Sequence, residues 1–197
     1  MSHVALIRHL VCLACVSAQV SAHAADLIPA PNNWRKEMLT FPLEFAPGLK
    51  YDGVEQVRFA PQWKDFADER GFSYVFMWDV NNTPLGVPNL ERDLRAYFDG
   101  LMHRVAESGK LVTRGGPTKA SLHGAAPVSG WTQAYAGVLS TWNAFSSGEA
   151  LVLEIEITNR TCENGRMQVF FMLSKARPTD AIWDTMRATR DASACPI

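Results

Sequence analysis

The chain has 197 residues, with 19 basic and 20 acidic side chains, and 47% of its residues are hydrophobic. This length fits one domain or two small ones, and the composition excludes disordered, collagenous and low-complexity proteins. A net charge of −1 gives no electrostatic drive towards nucleic acid or anionic lipid, so we expect no nucleic-acid partner.

The first residues carry the pattern of a secretory signal peptide. Arg8 precedes a short apolar run, and Ala22–Ala24 forms an A-x-A cleavage pattern. We therefore predict a signal peptide over residues 1–24 and a periplasmic or secreted protein. A lipid anchor at Cys15 fits less well, because a cysteine stands three residues earlier where a lipobox prefers leucine. No later apolar run approaches the ~18 residues of a membrane span, so we expect no integral membrane segment.

Removal of the signal peptide leaves Cys162 and Cys195 as the only cysteines of the mature chain. Two cysteines in an oxidising compartment most simply form one disulfide, so we predict a bridge between them. In the chain-entropy model such a bridge contributes about 3–4 kcal/mol to stability. It would tie the C-terminal tail to the tip of a hairpin.

The first half of the mature chain predicts an arm, two strands and a long helix. Residues 25–50 contain four prolines, which favour irregular extended structure, and the aromatic residues of this arm should pack on the body. Strands are predicted over Val54–Ala60 and Phe72–Val80, and period-two alternation places the aromatic residues of the second on one face. Asn89 predicts a helix N-cap, and apolar residues at helical spacing continue to Gly109.

The helix has a predicted buried face and a predicted polar face. We expect Leu94, Tyr97, Phe98 and Leu101 to be buried against the sheet. His103 should lie on the exposed face, one turn from Asp99.

The second half predicts four more strands and a short helix. The strands are Lys119–Ala126, Trp131–Trp142, a strand that includes Leu151–Thr158, and Met167–Ser174, and the helix is Asp180–Arg190. Hairpin turns dominate, so the fold class is α+β: a curved, mainly antiparallel sheet of about six strands with the long helix on one face. The other face should be solvent-exposed or only partly covered. We expect residues 51–197 to form a single domain.

His123, Glu154 and Glu156 are the residues that a hydrolase could use. The two carboxylates lie two residues apart on one strand face, roughly 6–7 Å from each other, which overlaps the separation in inverting glycosidases. The same pattern arises on any sheet with an exposed face, however. Ser121 and His123 would point in parallel, which is poor geometry for nucleophilic attack. We therefore expect no catalytic unit here.

The spacing of cysteine, histidine and acidic residues matches no metal-binding motif. We predict neither a metal ion nor another cofactor.

Six tryptophans are the largest anomaly of the composition. Flat rings bind small ligands where they are exposed and fill the core where they are buried. We assign Trp78 and Trp183 to the core. We leave two alternatives for Trp63, Trp131 and Trp142: they fill the core, or they line a ligand site.

Two sequence segments carry a resemblance. Gly53–Pro61 (GVEQVRFAP) and Phe72–Trp78 (FSYVFMW) together resemble a group of uncharacterised secreted bacterial proteins. The resemblance implies an exported bacterial protein and carries no activity. Within the first segment, Glu55 and Arg58 either form a structural ion pair with the neighbouring strand or line a pocket, which makes Arg58 a candidate ligand-binding residue.

The sequence favours an exported, non-catalytic protein that binds a small molecule or an envelope partner through the aromatic face of its sheet. Two alternatives remain: a secreted hydrolase that uses Glu154, Glu156 or His123, and a structural assembly protein.

Overall fold

The computed structural model describes residues 26–68, 70–81, 85–109, 115–146 and 148–196. The predicted signal peptide lies outside the described residues. The elements in chain order are β1 (Arg35–Thr40), β2 (Gly53–Phe59), β3 (Tyr74–Val80), α1 (Val87–Gly109), β4 (Lys119–Gly124), β5 (Gln133–Trp142), β6 (Ala150–Thr161), β7 (Met167–Ser174) and α2 (Ala181–Asp191).

All the strands belong to one antiparallel sheet in the order β1-β2-β3-β7-β6-β5-β4. This confirms the predicted α+β class with one long helix and a short C-terminal helix. The sheet has seven strands, not about six. In the part of the chain that the structure describes, no helix is long and apolar enough to cross a bilayer.

The additional strand is β1, which lies inside the segment predicted to be irregular. It pairs with β2 along its whole length, from Arg35 opposite Phe59 to Thr40 opposite Val54. Its side chains are half-buried or exposed, and charged residues are typical of edge strands, which must not pair with other molecules. A polar edge strand flanked by prolines therefore lacks the alternating apolar signal that identified the other strands.

Both faces of the sheet centre are covered, and exposed residues remain on the second face at β6, so of the two predicted alternatives, solvent-exposed or only partly covered, the structure shows the second. One face packs against α1, and the opposite face packs against α2 and the N-terminal segment through an apolar cluster that includes Ile28, Trp34, Met77, Phe170 and Trp183. Every residue of β3 and β7 is buried. Exposed outer surface is confined mainly to the strands near the sheet edges.

Helix α1 begins two residues before the predicted N-cap Asn89. Pro88 lies in the first turn, where its missing amide hydrogen costs no helical hydrogen bond. The predicted burial of Leu94, Tyr97 and Phe98 is confirmed. Leu101 is only half-buried, because the buried stripe continues through Met102 one residue further on.

His103 is exposed on α1, as predicted. Its Nδ1 lies 2.8 Å from the backbone carbonyl oxygen of Asp99, so the contact one turn away involves the backbone and not the carboxylate.

The predicted disulfide is present between Cys162 and Cys195, whose Cα atoms are 5.7 Å apart. Cys162 follows β6, and its carbonyl oxygen accepts a hydrogen bond from the amide of Gly165 in the turn that leads to β7. Gly165 has a φ of +79°, which glycine adopts without steric cost. The bridge therefore ties the tail beyond α2 to the tip of the β6–β7 hairpin.

Two leucines of α1 provide a matched test of this packing. Leu94 is completely buried, whereas Leu101 is half-buried. Replacement of Leu94 with alanine should lower the free energy of unfolding by about 2–5 kcal/mol, and Leu101→Ala should cost clearly less because less apolar surface loses contact. Urea denaturation of both variants measures the difference, and equal losses would contradict this placement of the helix.

Candidate functional site

A cavity of about 320 Å³ lies between α1 and the sheet half formed by β1, β2 and β3. Its walls are unusually aromatic. Seven rings contribute to the lining: Phe45, Phe59, Trp63, Phe72, Tyr74, Tyr97 and Phe145.

The alternation of β2 builds the floor of this cavity. Glu55, Val57 and Phe59 follow one another at period two on the face towards α1, and all three line the cavity. The cavity therefore extends along the strand for about 13 Å at the usual rise per residue. The neighbouring strands add Leu39 opposite Glu55, and Tyr74 opposite Phe59.

A close approach between α1 and the loop that joins β1 to β2 closes one side. A Cβ atom at Gly100 would lie 1.8 Å from the carbonyl oxygen of Phe45, so only glycine permits this contact. As a result, the Phe45 ring meets Tyr97 edge-to-face with 5.0 Å between ring centroids.

Glu55 places a carboxyl group in this aromatic environment. Its side chain has no solvent exposure, its Oε1 accepts a 2.8 Å hydrogen bond from the Tyr97 hydroxyl, and its Oε2 accepts a 2.7 Å bond from Trp78 Nε1. Burial raises the pKa of Glu55 to about 7, and the two hydrogen bonds oppose this shift only in part. Among the residues that the structure describes, no arginine, lysine or histidine forms an ion pair with this carboxylate.

Tyr74 adds a second polar group to the same cavity. The residue is 6% exposed, and burial followed by the charge of nearby Glu55 raises the pKa of its hydroxyl. Within the described part of the chain this hydroxyl has no hydrogen-bond partner. Among the described residues, a fully buried side-chain polar atom without a partner occurs only at Thr158 Oγ1, so the Tyr74 hydroxyl oxygen is not fully buried. The Tyr74 oxygen therefore keeps some contact with solvent, and the cavity is the open space that the residue lines.

Exposed charged residues border the cavity at the end near Phe59. The Arg35 guanidinium lies 5.5 Å from the centroid of the Phe59 ring, and Lys64 Nζ lies 5.1 Å from that of Trp63. Arg35 also forms an ion pair with Glu37. Cations thus already contact the outer rings of this aromatic wall.

Of the predicted ligand-binding candidates, the structure places only Trp63 at the cavity. Trp131 packs on the opposite face of the sheet, where its ring lies 4.3 Å from the Arg160 guanidinium carbon. Trp142 is buried in the core cluster beside α1.

Arg58 is also buried on the opposite face, away from Glu55, because it lies three positions further along β2 and side chains alternate between the two faces. It forms an ion pair with Asp26 and donates a hydrogen bond to the carbonyl oxygen of Ile28. The two charged residues of β2 therefore have different roles. Arg58 anchors the N-terminal segment, and Glu55 lines the cavity.

His123, Glu154 and Glu156 do not contribute to the cavity. His123 is exposed on the edge strand β4, and Ala136 of β5 separates it from Glu156 in register. Two strand spacings place their backbones roughly 10 Å apart. Arg187 of α2 forms an ion pair with Glu156. The prediction that these residues form no catalytic unit stays a prediction.

Sequence reasoning did not identify Tyr74 and Tyr97 as polar groups of a site, because both tyrosines also fit the aromatic core. The available signal was Glu55, an acid that shares a strand face with Val57 and Phe59. A charged residue at an inward-facing position is unusual unless it is paired or functional.

No protein-family model, curated protein or solved structure matches this chain. The resemblance to secreted bacterial proteins therefore stays a prediction. Among the described residues, no three histidine, cysteine or acidic side chains are grouped so that they could hold a metal ion.

The buried carboxyl predicts a specific dependence of stability on pH. The folded state keeps the Glu55 proton up to about pH 7, whereas the ordinary pKa is 4.5. The stabilisation by this proton is complete below pH 4.5 and is lost as the pH rises through 7. The shift corresponds to about 3 kcal/mol of unfolding free energy.

We expect Glu55→Gln to remove this dependence, because glutamine stays neutral. The measurement is the difference in unfolding free energy between wild type and variant at pH 5 and pH 8, with Glu154→Gln as the matched control on the other face. A difference that is the same at both pH values would contradict the assignment.

Proposed function

We propose that this chain is an exported, non-catalytic protein that binds a small, largely apolar molecule in the aromatic cavity. The observation that carries the proposal is the cavity itself: about 320 Å³ with seven aromatic rings around it. Small-molecule sites have volumes from about 300 Å³ upwards, apolar walls and a few polar groups that orient the ligand. Glu55 and Tyr74 supply such polar groups.

The two alternative functions receive less support. A hydrolase needs titratable groups that converge in one cleft. The residues predicted for it, His123, Glu154 and Glu156, lie outside this cavity, although Glu55, Tyr74 and Tyr97 line it. An assembly protein needs a large exposed apolar patch. Among the described residues, the exposed large apolar side chains are Met38 of β1 and Val152 of β6, and three strands of the sheet separate them.

Export is part of the proposal. It is supported by the signal-peptide pattern of residues 1–24 and by the Cys162–Cys195 disulfide, because disulfides persist in oxidising compartments. The partner would accordingly be a molecule met outside the cytoplasm.

Mass spectrometry of the protein expressed in a bacterial host tests export. The expected product is found in the periplasm or medium, and its first residue is Ala25. Ala24→Leu should block cleavage, because the processing site requires small residues. A full-length product that stays in the cytoplasm would contradict the proposal.

A thermal-shift titration with indole, a small neutral aromatic probe, tests the cavity. At about one hundred times its Kd, a ligand stabilises the folded state by about 2.7 kcal/mol. For a domain of this size that raises Tm by roughly 5–10 °C.

Two α1 variants show whether the probe enters this cavity. Leu101 lines it, whereas Val105 one turn later is half-buried against the same core and is not part of the lining. Leu101→Trp should fill the space and abolish the shift, and Val105→Trp should preserve it. Absence of a shift in wild type, or equal shifts in both variants, would overturn the proposed site.

A further inference from the structure

A site for a purely apolar molecule would not need an acid, yet Glu55 lies at the end of the cavity away from Phe59. The Glu55 carboxyl is completely buried, and each oxygen accepts a hydrogen bond from a neutral donor, Tyr97 or Trp78. When a buried carboxylate is ionised it requires a positive partner, since its desolvation is otherwise uncompensated. The described residues provide no such partner within the protein.

The walls of the cavity favour the same kind of partner. The faces of aromatic rings carry negative electrostatic potential and attract cations. Arg35 and Lys64, which are themselves lining residues, already lie over Phe59 and Trp63. Further rings line the interior, among them Tyr74 and Tyr97, which also stack on Phe59 and Phe76.

We propose that the ligand is an organic ammonium ion with an apolar substituent. The ammonium group forms an ion pair with the Glu55 carboxylate after a local shift of that buried side chain, and the substituent packs against the aromatic walls. This inference rests on the proposed function and adds the chemical class of the ligand.

The charge at the Glu55 end of the cavity disfavours an anionic ligand, because an anion there would lie beside the acid. At the other end, Arg35 is paired with Glu37, and Lys64, which lies over Trp63, is the remaining cation among the lining residues. A neutral ligand would make no use of the carboxylate charge. An ammonium ion alone uses both the acid and the rings.

The available volume limits the size of the ligand. About 320 Å³ corresponds to roughly ten water molecules at about 30 Å³ each. The ligand should therefore contain about ten non-hydrogen atoms, which is the size of a primary amine attached to a single aromatic ring.

Isothermal titration calorimetry with three probes of nearly equal size tests the ligand class. Phenethylamine is cationic at neutral pH, phenethyl alcohol is neutral, and phenylacetate is anionic. At pH 8 we expect the amine to bind at least about tenfold more tightly than the alcohol, and the anion to bind most weakly.

Glu55→Gln should abolish the advantage of the amine and leave the affinity for the alcohol almost unchanged. Glu154→Gln removes the same charge from outside the cavity, so it should preserve the advantage. Loss of the advantage in both variants would show a general effect of net charge and would overturn the inference.

Wild-type protein provides a second readout that does not depend on the folding of a variant. Glu55 must be ionised to bind the ammonium, so amine affinity should rise about tenfold between pH 6 and pH 8, while alcohol affinity stays constant. The other titratable groups at the cavity are Tyr74 on β3, Tyr97 on α1, Arg35 and Glu37 on β1, and Lys64. A flat profile for the amine would overturn the inference.

The outcomes separate this inference from the proposed function. If the alcohol binds as tightly as the amine, the cavity is a ligand site but the ammonium class is wrong. If none of the three probes binds, the inference is overturned, and the indole titration decides separately whether the cavity binds small molecules.

Discussion

The pairing of β3 with β7 holds the sheet together, because it joins a meander from the first half of the chain to a meander from the second half. Its register runs from Tyr74 opposite Leu173 to Val80 opposite Met167, and both strands are buried throughout. Helices α1 and α2 therefore cover opposite faces of the same central strands. The backbone of α1 approaches the sheet most closely at β4 and β5, and the cavity lies between α1 and the other half of the sheet, formed by β1, β2 and β3.

Burial of Glu55 connects this fold to the proposed site. The acid lies among apolar side chains because β2 has to present the same face to α1 along its length. The aromatic rings that stabilise the fold by excluding water also raise the pKa of the carboxyl. Stability and binding are thus coupled. An ammonium ligand would provide the countercharge that the free protein lacks, but Glu55 would have to release the proton that stabilises the folded state below pH 7.

The opposite face shows how similar residues can have a purely structural role. Arg58 is as deeply buried as its neighbours, yet its partners are Asp26 and the carbonyl oxygen of Ile28 in the N-terminal segment. On the same face, the Arg160 guanidinium lies over the Trp131 ring. Both arginines therefore have partners inside the protein, whereas the Glu55 carboxylate has no cationic partner among the described residues.

Local patterns in the sequence determined most of the secondary structure and the disulfide. Alternation identified β3, helical spacing identified α1, and two remaining cysteines predicted one bridge, because each depends on neighbours along the chain or on a simple count. The polar edge strand β1 carries no such pattern. Only the tertiary structure brought Glu55 together with Tyr97, 42 residues away. Periodicity states which face a residue occupies, whereas strand register and helix packing decide which distant side chain it meets.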